Sequence, residues 1–115
     1  MTFEETSWVD PIHKEETYSV FEDKYPVSTG HLLFVPHTLA IKDLTDCYAA
    51  AYRWGVEWVL LNACDSFNIG QNCGPEAGQT VEWPHIHLIA RYDGDVKDPV
   101  GGVRNIIPGK GNYKK

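Results

Sequence analysis

His85 and His87 stand two residues apart in the run Trp83-Pro84-His85-Ile86-His87-Leu88-Ile89-Ala90-Arg91. Side chains two apart in a strand share a face. As a strand, this run places Trp83, His85, His87, Ile89 and Arg91 on one face and Pro84, Ile86, Leu88 and Ala90 on the other. The second set is wholly apolar and fits a core. The first offers two imidazoles, the side chains most readily poised for nucleophilic or acid–base work near neutral pH. Upstream, Gly74 and Gly78 mark a loop whose backbone N–H groups could cradle a phosphate. The combination points to phosphate-ester or phosphoanhydride chemistry.

Other readings of the same residues stay open. A His-x-His pair on a strand can present two metal ligands, and zinc would need at least one more. His31 is the candidate for it. Either histidine could instead be a hydrogen-bonded side chain of a half-buried strand. Asp23 has the chemistry to accept two ribose hydroxyls, or it binds its own backbone in a turn. Asn72 and Gln79 offer amide donors to phosphate, Thr80 adds a hydroxyl for a leaving oxygen, and Gly78 lets the chain approach closely. Trp83 lies on the histidine face but cannot act as an imidazole does, so its expected role is packing. Apolar side chains near Tyr18, Val20, Phe21 and Leu33 are the expected pocket for a stacked purine.

These residues need a scaffold. Tyr18 to Glu22 reads as a strand, residues 23–30 as a turn, and His31 to Val35 as a second strand ended by Pro36. On the latter, His31, Leu33 and Val35 share a face. One long helix starts at Asp43, a residue able to cap it, and stops near residues 64–66. Gly55 in its interior costs ~1 kcal/mol against Ala, which implies close approach of another backbone. Phe67 to Gln71 is a third strand and Trp83 to Arg91 a fourth, where Pro84 implies an edge position or a bulge. Residues 1–16 read as irregular with a helical turn near Pro11, and residues 93–115 as an irregular tail. One helix between two strand groups gives an α+β fold with a mainly antiparallel sheet.

Composition narrows the classes. A length of 115 residues fits one domain, 1–115, with a thin core. A net charge of −6 argues against a non-specific binder of nucleic acid or of anionic membranes. Cys47, Cys64 and Cys73 are odd in number and lack Cys-x-x-Cys spacing, so free thiols in a reducing cytoplasm are expected. No apolar run approaches membrane-spanning length, and neither secretion nor membrane insertion is expected.

Three blocks carry a family resemblance. Gly78-Gln79-Thr80-Val81 followed by Trp83-Pro84-His85-Ile86-His87-Leu88-Ile89 is similar to the histidine-triad (HIT) signature. That signature alternates three histidines with apolar residues after Gly-Gln-Ser/Thr-Val. Residues 23–36, from Asp23 through Gly30-His31 to Pro36, resemble a second block of that family. Residues 72–78, Asn-Cys-Gly-Pro-Glu-Ala-Gly, resemble its glycine loop. The blocks keep the family's order over roughly residues 18–92. Trp83 stands where the first triad histidine is usual, and Ala90 where a proline is.

The resemblance implies a small α+β roll that forms a two-fold homodimer. It places the nucleophile on His85, phosphate binding on His87, and support beneath the nucleophile on His31. Asp23 takes the ribose, Asn72, Gly78 and Gln79 the phosphates, and Thr80 assists the leaving oxygen. It implies no metal or other cofactor for the step. The expected activity is hydrolysis or transfer at the α-phosphate of a dinucleoside polyphosphate through a nucleotidyl-histidine intermediate. The alternatives are a nucleoside phosphoramidate hydrolase and a purine-nucleotide-binding dimer with little turnover. The dimer is also expected from the helix, because Tyr48, Tyr52, Trp54 and Trp58 cannot all face one core.

Overall fold

A computed structural model describes residues 1–114. Lys115, at the end of the expected tail, lies outside the described residues. Five strands form one antiparallel sheet: β1 (His13–Lys14), β2 (Tyr18–Glu22), β3 (His31–Pro36), β4 (Ser66–Gly70) and β5 (Ile86–Arg91), in the order β1-β2-β3-β5-β4. One long helix, α1 (Ile41–Leu60), packs on a single face of it. The expected α+β architecture is the observed one.

Alternation divides the sheet. Tyr18, Val20, Leu32, Phe34, Ile86 and Leu88 point toward α1 and pack with Cys47, Ala50 and Ala51. Phe34 and Ile86 are fully buried. Burial pushes the Cys47 thiol up to about 12, so it stays neutral and packs as a small apolar group. The opposite face gathers Phe21, Leu33, Val35 and Trp83, with Phe3 and Trp8 laid over them.

Several expectations shift. β5 begins at Ile86 and lies inside the sheet between β3 and β4, not at an edge. Pro84 precedes it, so no ladder hydrogen bond is lost. β4 sits one residue earlier than expected. The helix starts two residues before Asp43, with Ala40 at its N-cap position. Asp43 is buried in the first turn and accepts a hydrogen bond from the Thr38 hydroxyl at 2.7 Å, which anchors the incoming chain. The helix ends earlier, at Leu60, where Asn62 takes a left-handed φ of 59° and its N–H reaches the Val59 carbonyl. A Cβ on Gly55 would lie 2.6 Å from the Phe67 ring. The close approach inferred there is real, but the neighbour is a side chain rather than backbone. Residues 1–16 are less irregular than expected: Phe3–Glu5 form a 3-10 turn, and β1 adds an edge strand to β2. In the tail, Gly102–Ile106 form another 3-10 turn.

The aromatic residues of α1 separate as helical spacing requires. Trp54 packs edge-on against Phe34, with ring centroids 5.3 Å apart. Tyr48 and Tyr52 are exposed, Tyr52 at 60%. Among the described residues, no helix is long and apolar enough to cross a membrane.

Candidate active site

His31 and His87 lie on adjacent strands. In the β3–β5 register, His31 pairs with Ile89 and Leu33 with His87. The two histidines are therefore diagonal neighbours on the face away from α1, a separation that long side chains bridge. His31 Nε2 lies 2.9 Å from His87 Nδ1. The β2–β3 turn folds back so that Asp23 Oδ2 is 3.3 Å from the same His31 nitrogen. Asp23 Oδ1 accepts the Tyr25 N–H at 2.8 Å, which holds the carboxylate in place. The turn role weighed for Asp23 and its place at the site thus coexist, one on each oxygen.

Tautomers follow from groups that can only donate or only accept. The Val27 N–H donates to His31 Nδ1 at 3.2 Å, so a neutral His31 carries its proton on Nε2. That proton is donated to His87 Nδ1, and the proton of His87 then sits on its outer nitrogen, Nε2. His85 Nδ1 lies 2.8 Å from the Trp83 carbonyl and must donate to it. Its Nε2 is left with a free lone pair. One strand end thus presents an imidazole that can attack and another that can donate. Burial lowers the His31 pKa, with the Asp23 charge opposing. His87 is pushed down to about 4, first by burial, then by neighbouring His85 and His31, again opposed by Asp23. Both are neutral at pH 7, as the proton chain requires.

A metal reading can be tested on the same atoms. Asp23, His31 and His87 offer ligand atoms all within 4.8 Å of one another. The expected third partner of that set, His85, is not part of it, and Asp23 takes its place. Ligation through His31 Nε2 would require its proton to move to Nδ1, which already accepts from a backbone donor. The local hydrogen bonds therefore favour the proton chain over a metal centre.

The glycine loop departs from expectation. Gly74 and Gly78 have φ of 99° and 96°, values that close a tight turn and disfavour other residues. The N–H groups of Ala77, Gly78 and Gln79 bond to carbonyls inside the loop, and that of Gly74 bonds to Gln79 Oε1 at 2.8 Å. The Gln79 amide nitrogen donates to the Val81 and Glu82 carbonyls at 3.0 and 2.9 Å. These donors are turned inward, so Gln79 braces the loop instead of presenting a free N–H to a phosphate. Asn72 and Thr80 are exposed at either end of the loop.

The expected base pocket divides between the two faces. Tyr18 and Val20 belong to the core under α1. Phe21 and Leu33 do lie on the histidine face. Trp83 is 4% exposed and donates its indole N–H to the Pro36 carbonyl at 2.8 Å. Its role is packing, in a cluster that also takes a partner from far upstream. That partner is Trp8, which sequence reasoning left in an irregular segment. Its ring lies 5.1 Å from the His85 ring. The available signal was an aromatic pair, Phe3 and Trp8, in an otherwise polar stretch.

An α+β sheet backed by one helix, with paired histidines on its open face, defines the class. Residues 9–94 match the HIT domain, and the chain belongs to that family. It is 33% identical over 90 residues to an uncharacterized HIT-like protein of Methanocaldococcus jannaschii, covering 73% of this chain and 70% of the relative. It is 32% identical over 87 residues to the bis(5'-adenosyl)-triphosphatase of Saccharomyces cerevisiae, covering 66% of this chain but only 40% of that enzyme. Among solved structures, a zinc-bound histidine triad family protein from Mycobacterium smegmatis superposes with a TM-score of 0.68 at 27% identity. That match covers 74% of this chain and 67% of the other.

Proposed function

We propose that this protein hydrolyses or transfers at the α-phosphate of a nucleotide, with dinucleoside polyphosphates such as diadenosine polyphosphates as the favoured substrates. The observation that carries the reading is the pair of opposed tautomers: a free lone pair on His85 Nε2 beside an N–H on His87 Nε2. In this mechanism His85 Nε2 attacks the α-phosphorus, and the bond to the leaving phosphate oxygen breaks. His87 donates to a non-bridging oxygen and steadies the charge gathering there. Water then attacks the nucleotidyl-histidine, releasing a nucleoside monophosphate and returning His85 to its neutral form. His31 fixes the tautomer of His87 and so acts through it. It supports the phosphate donor rather than touching His85. Asp23 accepts the ribose hydroxyls through lone pairs left over from its turn. Thr80 assists the leaving oxygen, Asn72 contacts phosphate, and Gly78 with Gln79 shapes the loop.

The likeness to the yeast bis(5'-adenosyl)-triphosphatase favours a dinucleoside triphosphate, while a phosphoramidate is the second reading because the same histidine serves both. Incubation with a panel of both substrate types, followed by peptide mapping for a nucleotide adduct, separates them. A mass increase of one nucleotidyl group on His85 is expected with diadenosine triphosphate. An adduct on any other residue, or none with any nucleotide, would overturn the mechanism.

The same reading includes a two-fold homodimer in a reducing, cytoplasmic setting. Support comes from Ile41, Tyr48, Tyr52, Leu60 and Leu61, all exposed apolar or aromatic side chains on or just beyond α1. Light scattering across a micromolar dilution series is expected to give twice the chain mass. A monomer mass throughout would return this face to solvent.

A further inference from the structure

His85 lies just before β5, outside the ladder that holds His87. Its backbone therefore lacks the restraint of strand pairing, and its ring orientation rests on contacts. One is the Nδ1–H bond to the Trp83 carbonyl at 2.8 Å. A ring held by a single hydrogen bond can still swing about that bond. The second is the His87 ring, with centroids 5.2 Å apart and planes at 60°. The third comes from the other end of the chain: the Trp8 ring, at 5.1 Å and also 60°.

Trp8 is itself well seated. Its ring is 6.2 Å from that of Phe21 with planes 27° apart. It packs on the buried cluster of Phe21, Leu33, Val35 and Trp83. Phe3 secures the same segment against Phe21 and His37, at 6.3 and 4.8 Å. His37 is tied down in turn by Ser19 at 2.7 Å and by the Glu16 carbonyl at 2.9 Å. A tryptophan anchored this firmly can hold an imidazole as well as cover it.

We propose that Trp8 is a positioning residue for His85, fixing the direction of its Nε2 lone pair from a segment outside the histidine-bearing strands. The inference rests on His85 being the nucleophile. A misdirected nucleophile loses rate more than affinity, since it still lets substrate bind but seldom attacks in line.

The test compares wild type with Trp8→Ala, Trp8→Leu and Trp8→Phe. Diadenosine triphosphate is the substrate, and diethyl pyrocarbonate is an independent probe of the His85 ring. In Trp8→Ala and Trp8→Leu, kcat is expected to fall ~10-fold or more with KM little changed. Carbethoxylation of His85, followed by peptide mass spectrometry, should become faster. Trp8→Phe keeps an aromatic edge and should recover most of both. A rise in KM at unchanged kcat would make Trp8 a wall of the binding surface and overturn the proposal. Unchanged kcat and unchanged carbethoxylation would overturn it too. Should the alanine variant fail to fold, the leucine–phenylalanine pair carries the comparison. If wild type turns over no nucleotide, the nucleophile reading fails on its own, and the carbethoxylation rates still decide whether Trp8 restrains His85.

Discussion

The two faces of the sheet are built from the same strands, yet they obey different rules. Toward α1, β2, β3 and β5 contribute Val20, Phe34, Ile86 and Leu88, all fully buried. Cys47, Ala50 and Ala51 of α1 complete that cluster. On the other face the same strands alternate apolar residues with His31 and His87, whose facing nitrogens are joined and whose outer His87 nitrogen is left to donate. The first face holds the fold together through apolar burial. The second uses that rigidity to keep an array of neutral imidazoles aligned at hydrogen-bonding distance. The core under α1 and the histidines are thereby separated by one residue of strand register, although the histidine face keeps a smaller buried cluster of its own.

The sharpest way to break this division is His85→Ala. Removal of the proposed nucleophile should lower hydrolysis by several orders of magnitude, roughly 10³-fold or more, with urea unfolding barely moved. A loss of stability matching the loss of turnover would mean that the His85 side chain itself also carries the fold. Phe34→Ala is the converse. It empties a fully buried site between Tyr18 and Trp54 and should cost about 3–5 kcal/mol by denaturant titration. The molecules still folded should form the nucleotide adduct at the wild-type rate. Slower adduct formation per folded molecule would show that the faces are coupled.

Acid gives a smaller effect that belongs to the histidine face alone. His87 is held at about 4 in the folded chain, against about 6.5 for an unperturbed histidine. Between those values the unfolded chain takes up a proton that the folded chain refuses. Stability should therefore fall as pH drops from about 6.5 to about 4, by on the order of 3 kcal/mol in total. His31, also lowered, acts in the same direction. Asp46 and Asp95 are held below the ordinary carboxylate range, so their contributions are lost at lower pH. Unfolding midpoints at pH 7.5 and 4.5 measure the drop, and His87→Gln should shrink it. An equal drop in that variant would move the acid sensitivity to other groups.

Much of this was legible in the residues themselves. Period-two alternation assigned His31, Leu33 and Val35 to one side of β3 and Leu32 and Phe34 to the other, as the packing has them. The three ordered blocks pointed to the family that residues 9–94 match. Pro84 misled, because a proline marks where a strand cannot pair but does not tell a strand interior from the residue before its start. Tyr18 and Val20 adjoin Phe21 in sequence but do not share its surface, because alternation puts them on the opposite face.

What the sequence determined by itself is therefore local: which residues can do chemistry, and which side chains of a strand travel together. These follow from backbone periodicity and side-chain type. Tertiary structure decided what faces what. The β3–β5 register set His31 diagonal to His87, and a backbone N–H from Val27 then fixed both tautomers. Closure of the glycine loop turned its donors inward. The path of the first twelve residues brought Trp8 against His85 across 77 positions of sequence. Contacts of that separation depend on register and on the packing of elements remote in the chain, and no local pattern encodes either.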